Sequence, residues 1–224
     1  MNDKGQLDGF DVEVAKGIAK YIGVEAQFVT PSWDIITSGR WEGRWDLAMG
    51  HMTPTAARAK LFDFPAAYIY SKSVLAVHKD SNATKPSDLD GKVIGAAAGS
   101  SEESYAKHTL ELYNAPPVKY QFTPGEVKSY DSGSASMDDL RLADGVRLDG
   151  IVTDNLSTDA ALKAGYRFKG VGEPLVTAPS VIPVLHGDKE FSEKVATAVK
   201  SMKDDRTLSK LSIKWYGSDQ TVAN

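Results

Sequence analysis

The residues best equipped for chemistry are a scattered set of charged and hydroxyl side chains. Arg58, in Thr55-x-x-Arg58, falls on the first turn after a strand end. A guanidinium there either grips a carboxylate through two parallel hydrogen bonds or is an ordinary surface arginine. Ser100 and Ser101 follow Gly99 at a helix start. Their hydroxyls and the free N–H groups of that turn form an anion site, or they cap the helix; Ser100 can do the second while Ser101 does the first. Thr53 adds a hydroxyl and backbone groups. Asp154 lies just past a strand and before a helix, where its carboxylate meets a cation or caps the following helix. All of this is non-covalent recognition: donors for an anion, a carboxylate for a cation.

Covalent and metal chemistry find less support. His51, His78, His108 and His186 show no H-x-x-x-H or H-E-x-x-H spacing for zinc. There is no G-x-S-x-G elbow and no P-loop. The chain has no cysteine, which removes thiol catalysis, thiolate metal sites and disulfides. No cofactor is expected. Lys plus Arg is 26 and Asp plus Glu is 30, a net charge of -4, which is unsuited to a nucleic-acid surface. No apolar run approaches the roughly 20 residues of a membrane span, so direct membrane insertion is not expected. The opening Met1 to Gln6 has no apolar core of a secretory signal.

These residues need a scaffold, and 224 residues suffice for a large core. Val14, Ala15, Ile18, Ala19 and Ile22 recur at helical spacing, predicting a helix from Asp11, as cap, to Ile22, closed by Gly23. Strands are expected at Val24–Thr30, Trp45–Met49, Ile69–His78, Lys92–Ala97, Val118–Phe122, Arg147–Val152 and Val181–Leu185. Helices are expected at Trp33–Ser38, Glu102 to about Tyr113, Met137–Ala143, Leu156–Ala164, Phe191–Met202 and Leu208–Tyr216. Thr55 would cap a further helical turn, and Ser100-x-x-Glu103 fits a capping box. Strands alternating with helices imply α/β layers with mainly parallel sheets. Two stretches, Gly43 to Thr53 and Gly145 to Asp154, each place polar residues just past a strand's carboxyl end, where open α/β sheets bind ligands.

An ordered set of motifs resembles one family along nearly the whole chain. Leu7-Asp8-Gly9-Phe10-Asp11-Val12-Glu13-Val14-Ala15 is similar to the "GFDvDla" opening helix of the extracellular solute-binding proteins of family 3, the polar amino-acid receptors of ABC importers. Ser32-Trp33-Asp34, Asp46 to Gly50, and Met52-Thr53-Pro54-Thr55-Ala56-Ala57-Arg58-Ala59-Lys60 match "sWd…fDlai.gmtiTpeRak". Phe62 to Tyr68, Leu89 to Gly95, Gly99-Ser100-Ser101, Arg147 to Asp154 and Thr207 to Gly217 match later family motifs in the right order.

The resemblance implies a type II periplasmic-binding fold: two α/β lobes, each a mostly parallel sheet flanked by helices, joined by two hinge strands with the ligand between them. Lobe one would be residues 1–77 plus 181–224, and lobe two residues 78–180. Only Met1 to Gln6 precede Leu7, so the usual first strand of lobe one is expected to be missing. The resemblance gives the candidate residues roles. Arg58 would hold a ligand carboxylate and Asp154 its ammonium, with Ser100, Ser101 and Thr53 adding polar contacts. Trp33 would supply a flat wall or a π-face. His51 stands where relatives have a small residue, and either narrows the pocket or is satisfied elsewhere; Met52, in the same matched stretch, is counted with the site. Asp149 and Asp11 read as structural, as do Trp41, Trp45 and Trp215. The expected partners are a free amino acid and the permease subunits of an ABC transporter, in a periplasmic or cell-surface location. The alternatives are a dehydratase-like enzyme, using Asp154, Glu103 or His51 as proton donor, and a sensor fragment that binds nothing. No extra acidic or basic residue of the assigned pocket stands out to select a charged side chain.

Overall fold

The computed structural model describes residues 6–222. The chain divides into two compact units. Unit one holds the stretches up to Pro31, Ser38–Tyr70 and from Pro179 onward, and unit two holds Ser32–Thr37 and Ser71–Ala178. The chain passes between them inside two long strands, β1 (Phe62–His78) and β6 (Val176–Leu185), which pair with each other.

Unit one is built on three helices. α1 (Phe10–Ile22) buries Phe10, Val14, Ile18 and Ala19, the apolar stripe that the sequence spacing predicts. Gly23 ends it in the left-handed conformation that costs glycine least, φ 84°. The stripe packs against α6 (Lys189–Asp204), through Val195, Ala198, Val199 and Met202, and against α7 (Thr207–Tyr216). At Gly17 the helices come so close that a Cβ would lie 2.6 Å from Met202 Cε. Asp11 does not cap α1; Gly9 holds the cap position, and Asp11 sits in the first turn. Trp41, fully buried, stacks against Phe62 and meets Trp45, as packing residues do.

Unit two is a sheet in the order β3-β2-β4-β1-β5. β2 (Val93–Ala97) runs parallel to β3 (Glu126–Tyr130) and to β4 (Gly150–Asp154), whereas β1 is antiparallel to β4 and to β5 (Phe168–Gly170). The sheet is therefore mixed rather than mostly parallel. Alternation along β1 sends Leu75 and Val77 into one core with Leu89, Ile94, Tyr105 and Phe122, and Ala76 into another with Met137, Leu140, Leu148 and Ile151. Both faces of the central strands are buried, so β2 and the start of β4 read as short continuous apolar runs. The flanking helices are α3 (Ser101–Ala106), α4 (Gly133–Leu140) and α5 (Asn155–Lys163), while α2 (Trp33–Thr37) joins the unit from a distant part of the sequence.

Several expected elements differ. Val24–Thr30 is not a strand; no described strand lies beside it to accept a ladder, and Val24, Phe28 and Val29 are exposed. Trp45–Met49 contributes only an isolated bridge, Leu47 to Val184. Val118–Phe122 forms no strand because the Tyr105 phenol takes over part of its hydrogen bonding, accepting from Gln121 N–H and donating to Lys119 C=O. α3 stops at Ala106, well short of Tyr113, as His108 turns left-handed at φ 57° and its ring stacks on Tyr120. The polar strand β3 and the three-residue β5 were not expected from the apolar pattern.

Two glycines test the packing of unit two. A Cβ on Gly125 would lie 2.4 Å from the Gly91 carbonyl oxygen, a backbone atom that cannot step aside. Gly125→Ala should lose about 1–3 kcal/mol in urea unfolding. Gly133, the first residue of α4, faces open space. Gly133→Ala should be neutral or gain up to about 1 kcal/mol in the same assay.

Candidate functional site

In unit one the expected residues sit on the loop that leads from Gly50 to a 3₁₀ turn at Arg58–Lys60. The loop is pinned to β6 by Met52, which bridges Val181, and Met52 itself is core, 1% exposed. The Arg58 N–H donates to Thr55 Oγ1 at 3.2 Å, the bond expected of a capping threonine, although Ala57 holds the cap position of the 3₁₀ turn itself. Arg58 is 6% exposed, and its Nη1 donates to Thr53 C=O at 2.8 Å. That bond helps to orient the fork. Thr53 is also buried.

His51 adopts φ 55°, and its N–H donates to the Tyr68 phenol at 3.1 Å. Tyr68 in turn donates to Asp11 Oδ1 at 2.9 Å, and His51 Nε2 meets Tyr216 Oη at 3.1 Å. Burial, and then the Asp11 charge, push the Tyr68 phenol well above its ordinary range, so it stays a donor. Asp11 and His51 thus fasten the loop to α1, β1 and α7. The imidazole is engaged within unit one's own framework.

In unit two, Ser100 caps α3, accepting the Glu103 N–H at 3.0 Å. The capping box is shifted by one residue: Glu103 Oε2 accepts from Gly99 N–H at 2.8 Å. Ser101 Oγ, 5% exposed, donates to Glu102 Oε2 at 3.0 Å, and Glu102 Oε1 accepts from Ser73 Oγ at 2.7 Å. The turn's donors are therefore met in part by the chain's own carboxylates. Asp154 ends β4 and caps α5, accepting from Ser157 N–H at 2.8 Å, and Ser73 on β1 stands directly opposite it. α2, which carries Trp33, lies against this turn, with Thr37 Oγ1 3.3 Å from where a Gly99 Cβ would be. Unit two thus gathers Trp33's helix, Ser100, Ser101 and Asp154; unit one gathers His51, Met52, Thr53 and Arg58.

Sequence reasoning missed Glu102 and Ser73. A glutamate in a first helical turn reads as a partner of the helix dipole, and a serine in an apolar strand reads as an edge-facing residue. Only the pairing of β1 with β4 brings them beside Asp154. Asp149 is structural, accepting from Val93 N–H at 2.8 Å. A concavity of about 300 Å³ in unit two, lined by Asn82, Asp88, Lys92, Asp144 and Asp149, contains none of the expected residues. Two of its acids are engaged in local bonds, Asp88 with Thr84 and Lys85. Among the described residues no cluster of three or more metal-ligating side chains occurs, and no helix is long and apolar enough to cross a membrane.

Two expectations follow for unit two. Asp154→Ala should lose about 1 kcal/mol of stability in urea unfolding, and Asp154→Ser only a few tenths, since serine caps nearly as well. Burial raises the Glu103 pKa, but Lys107, Ser129 and the Gly99 N–H outweigh it, leaving the group below its ordinary range. A carboxyl depressed by folding stabilises fully above its unfolded value, about 4.3, and loses that contribution as pH falls through the folded value. The urea midpoint should therefore fall less steeply below about pH 5 in Glu103→Gln than in the parent chain.

Comparison with known proteins agrees with this architecture. The model of the bacterial extracellular solute-binding proteins, family 3, matches residues 1–218. The L-cystine-binding protein TcyJ of Escherichia coli (strain K12) is 29% identical over 224 residues, covering 99% of this chain and 79% of that protein. A solved ancestral arginine-binding protein bound to glutamine is 32% identical with a TM-score of 0.82, covering 97% of this chain and 91% of that one. The ancestral amino acid-binding protein AncCDT-1, a precursor of cyclohexadienyl dehydratase, is 27% identical with a TM-score of 0.78, covering 96% and 88%. The chain belongs to the bacterial extracellular solute-binding proteins, family 3.

Proposed function

We propose that this family member binds a free polar amino acid and hands it to the permease subunits of an ABC importer, in the periplasm or at the cell surface. The observation that carries the reading is a charge complement. Unit one presents a buried, oriented guanidinium in Arg58, and unit two presents a carboxylate at a strand end in Asp154. Those are the groups a zwitterion needs, one for its carboxylate and one for its ammonium. Ser101 and Thr53 add polar contacts, Trp33 adds an apolar wall, and Ser100 shapes the turn. His51 and Met52 serve the site by fixing the loop that carries Thr53 and Arg58. Cystine, arginine and glutamine, the ligands named for similar proteins, are all polar amino acids.

A dehydratase on this scaffold needs a proton donor. Glu103 is held ionised by Lys107, Ser129 and the Gly99 N–H, and the His51 ring is engaged with Tyr216. The proposed role is binding without turnover.

A thermal-shift screen against the natural amino acids should show stabilisation by at least one, because a ligand that binds only the folded state raises its melting point. Calorimetry should then show affinity falling about 100-fold in Arg58→Ala, equivalent to the loss of one or two charge-assisted hydrogen bonds. Asp154→Ser, which keeps a cap, should fall comparably. Unchanged affinity in both variants refutes the assignment.

A further inference from the structure

We infer that Glu102 selects, at the site proposed above, an amino acid that carries a second cationic group. The inference rests on that reading of the site and adds the ligand class. Glu102 is partly buried, and its carboxylate accepts from two neutral hydroxyls, Ser73 Oγ and Ser101 Oγ. Both serines are buried, at 8% and 5% exposure. The neighbouring acid, Glu103, has Lys107 as its counter-charge, whereas no described lysine or arginine lies within ion-pair distance of Glu102.

Strand register puts a second carboxylate nearby. Ser73 pairs with Asp154 across β1 and β4, and residues directly opposite on an antiparallel pair share one face with Cβ atoms about 4.5–5.5 Å apart. Glu102, Ser73 and Asp154 therefore form one continuous polar strip, with an acid at each end. A partly buried carboxylate without a cationic neighbour, as at Glu102, is unfavourable. A ligand with only its α-ammonium, meeting Asp154, leaves Glu102, the other acid of the strip, without a counter-charge. A guanidinium, a side-chain ammonium or the second ammonium of a cystine neutralises the other. The same strip repels an anionic side chain, so aspartate and glutamate are rejected.

The test compares arginine with citrulline, which has nearly the same shape and no side-chain charge, and adds lysine, glutamine, glutamate and cystine. In the parent chain, calorimetry should show arginine, lysine or cystine binding at least 10-fold tighter than citrulline and glutamine. Which of the three binds best identifies the source of the second cation. In Glu102→Gln, which keeps an acceptor for one serine and offers an N–H to the other, the ratio of citrulline to arginine dissociation constants should collapse to about 1. The parent-chain panel stands by itself should that variant not fold. If citrulline or glutamine matches the cationic ligands, or if Glu102→Gln keeps the preference, the inference is overturned while amino-acid binding stands. If no member of the panel binds, both readings fall.

Discussion

A guanidinium kept almost wholly out of water has to be oriented by the chain around it, and the rest of unit one is arranged to that end. Arg58 donates back to Thr53, the loop bearing both is bridged to β6, and the preceding turn is strapped by the Tyr68 phenol to Asp11. Each tie uses a backbone group or a buried hydroxyl. Arginine suits such a place because it stays charged and presents a rigid planar fork. The three helices of the unit pack on one another and supply its apolar mass.

Unit two solves a different problem. Its acids sit where a strand gives way to a helix, so the same carboxylate can complete local structure and still present charge. Asp154 caps α5 through one oxygen, and Glu103 braces Gly99. Glu102 braces no backbone group, since its two bonds go to serine hydroxyls. That difference separates a structural acid from one available to discriminate among ligands.

Much of this was legible in the sequence. α1 and α7 announce themselves by apolar spacing and by the glycines that close them, Gly23 and Gly217, and the family motifs run in order along the chain. What escaped depends on partners remote in sequence. Val24–Thr30 has the composition of a strand but no described neighbour to pair with. The apolar run from Val118 is claimed by the Tyr105 phenol, and β3, with Glu126 and Lys128, carries too little apolar signal to be noticed. The unsuspected acid strip needs the register of β1 on β4, which no local pattern encodes. Arg58 and Asp154 were readable as types and positions, while the bonds that orient them were not.

The order of the two units along the chain sets the order in which they can be completed. Unit two is almost contiguous, Ser71–Ala178, and interrupts unit one, whose α6 and α7 come last. During synthesis or export, which deliver the chain from its amino end, the inner sheet has nearly all its residues in hand. The Phe10–Ile22 helix, by contrast, waits with its apolar stripe uncovered for the last stretch of unit one, from Pro179 onward, to emerge. The period before release is thus one in which Val14 and Ile18 face water without the helices that cover them in the finished fold.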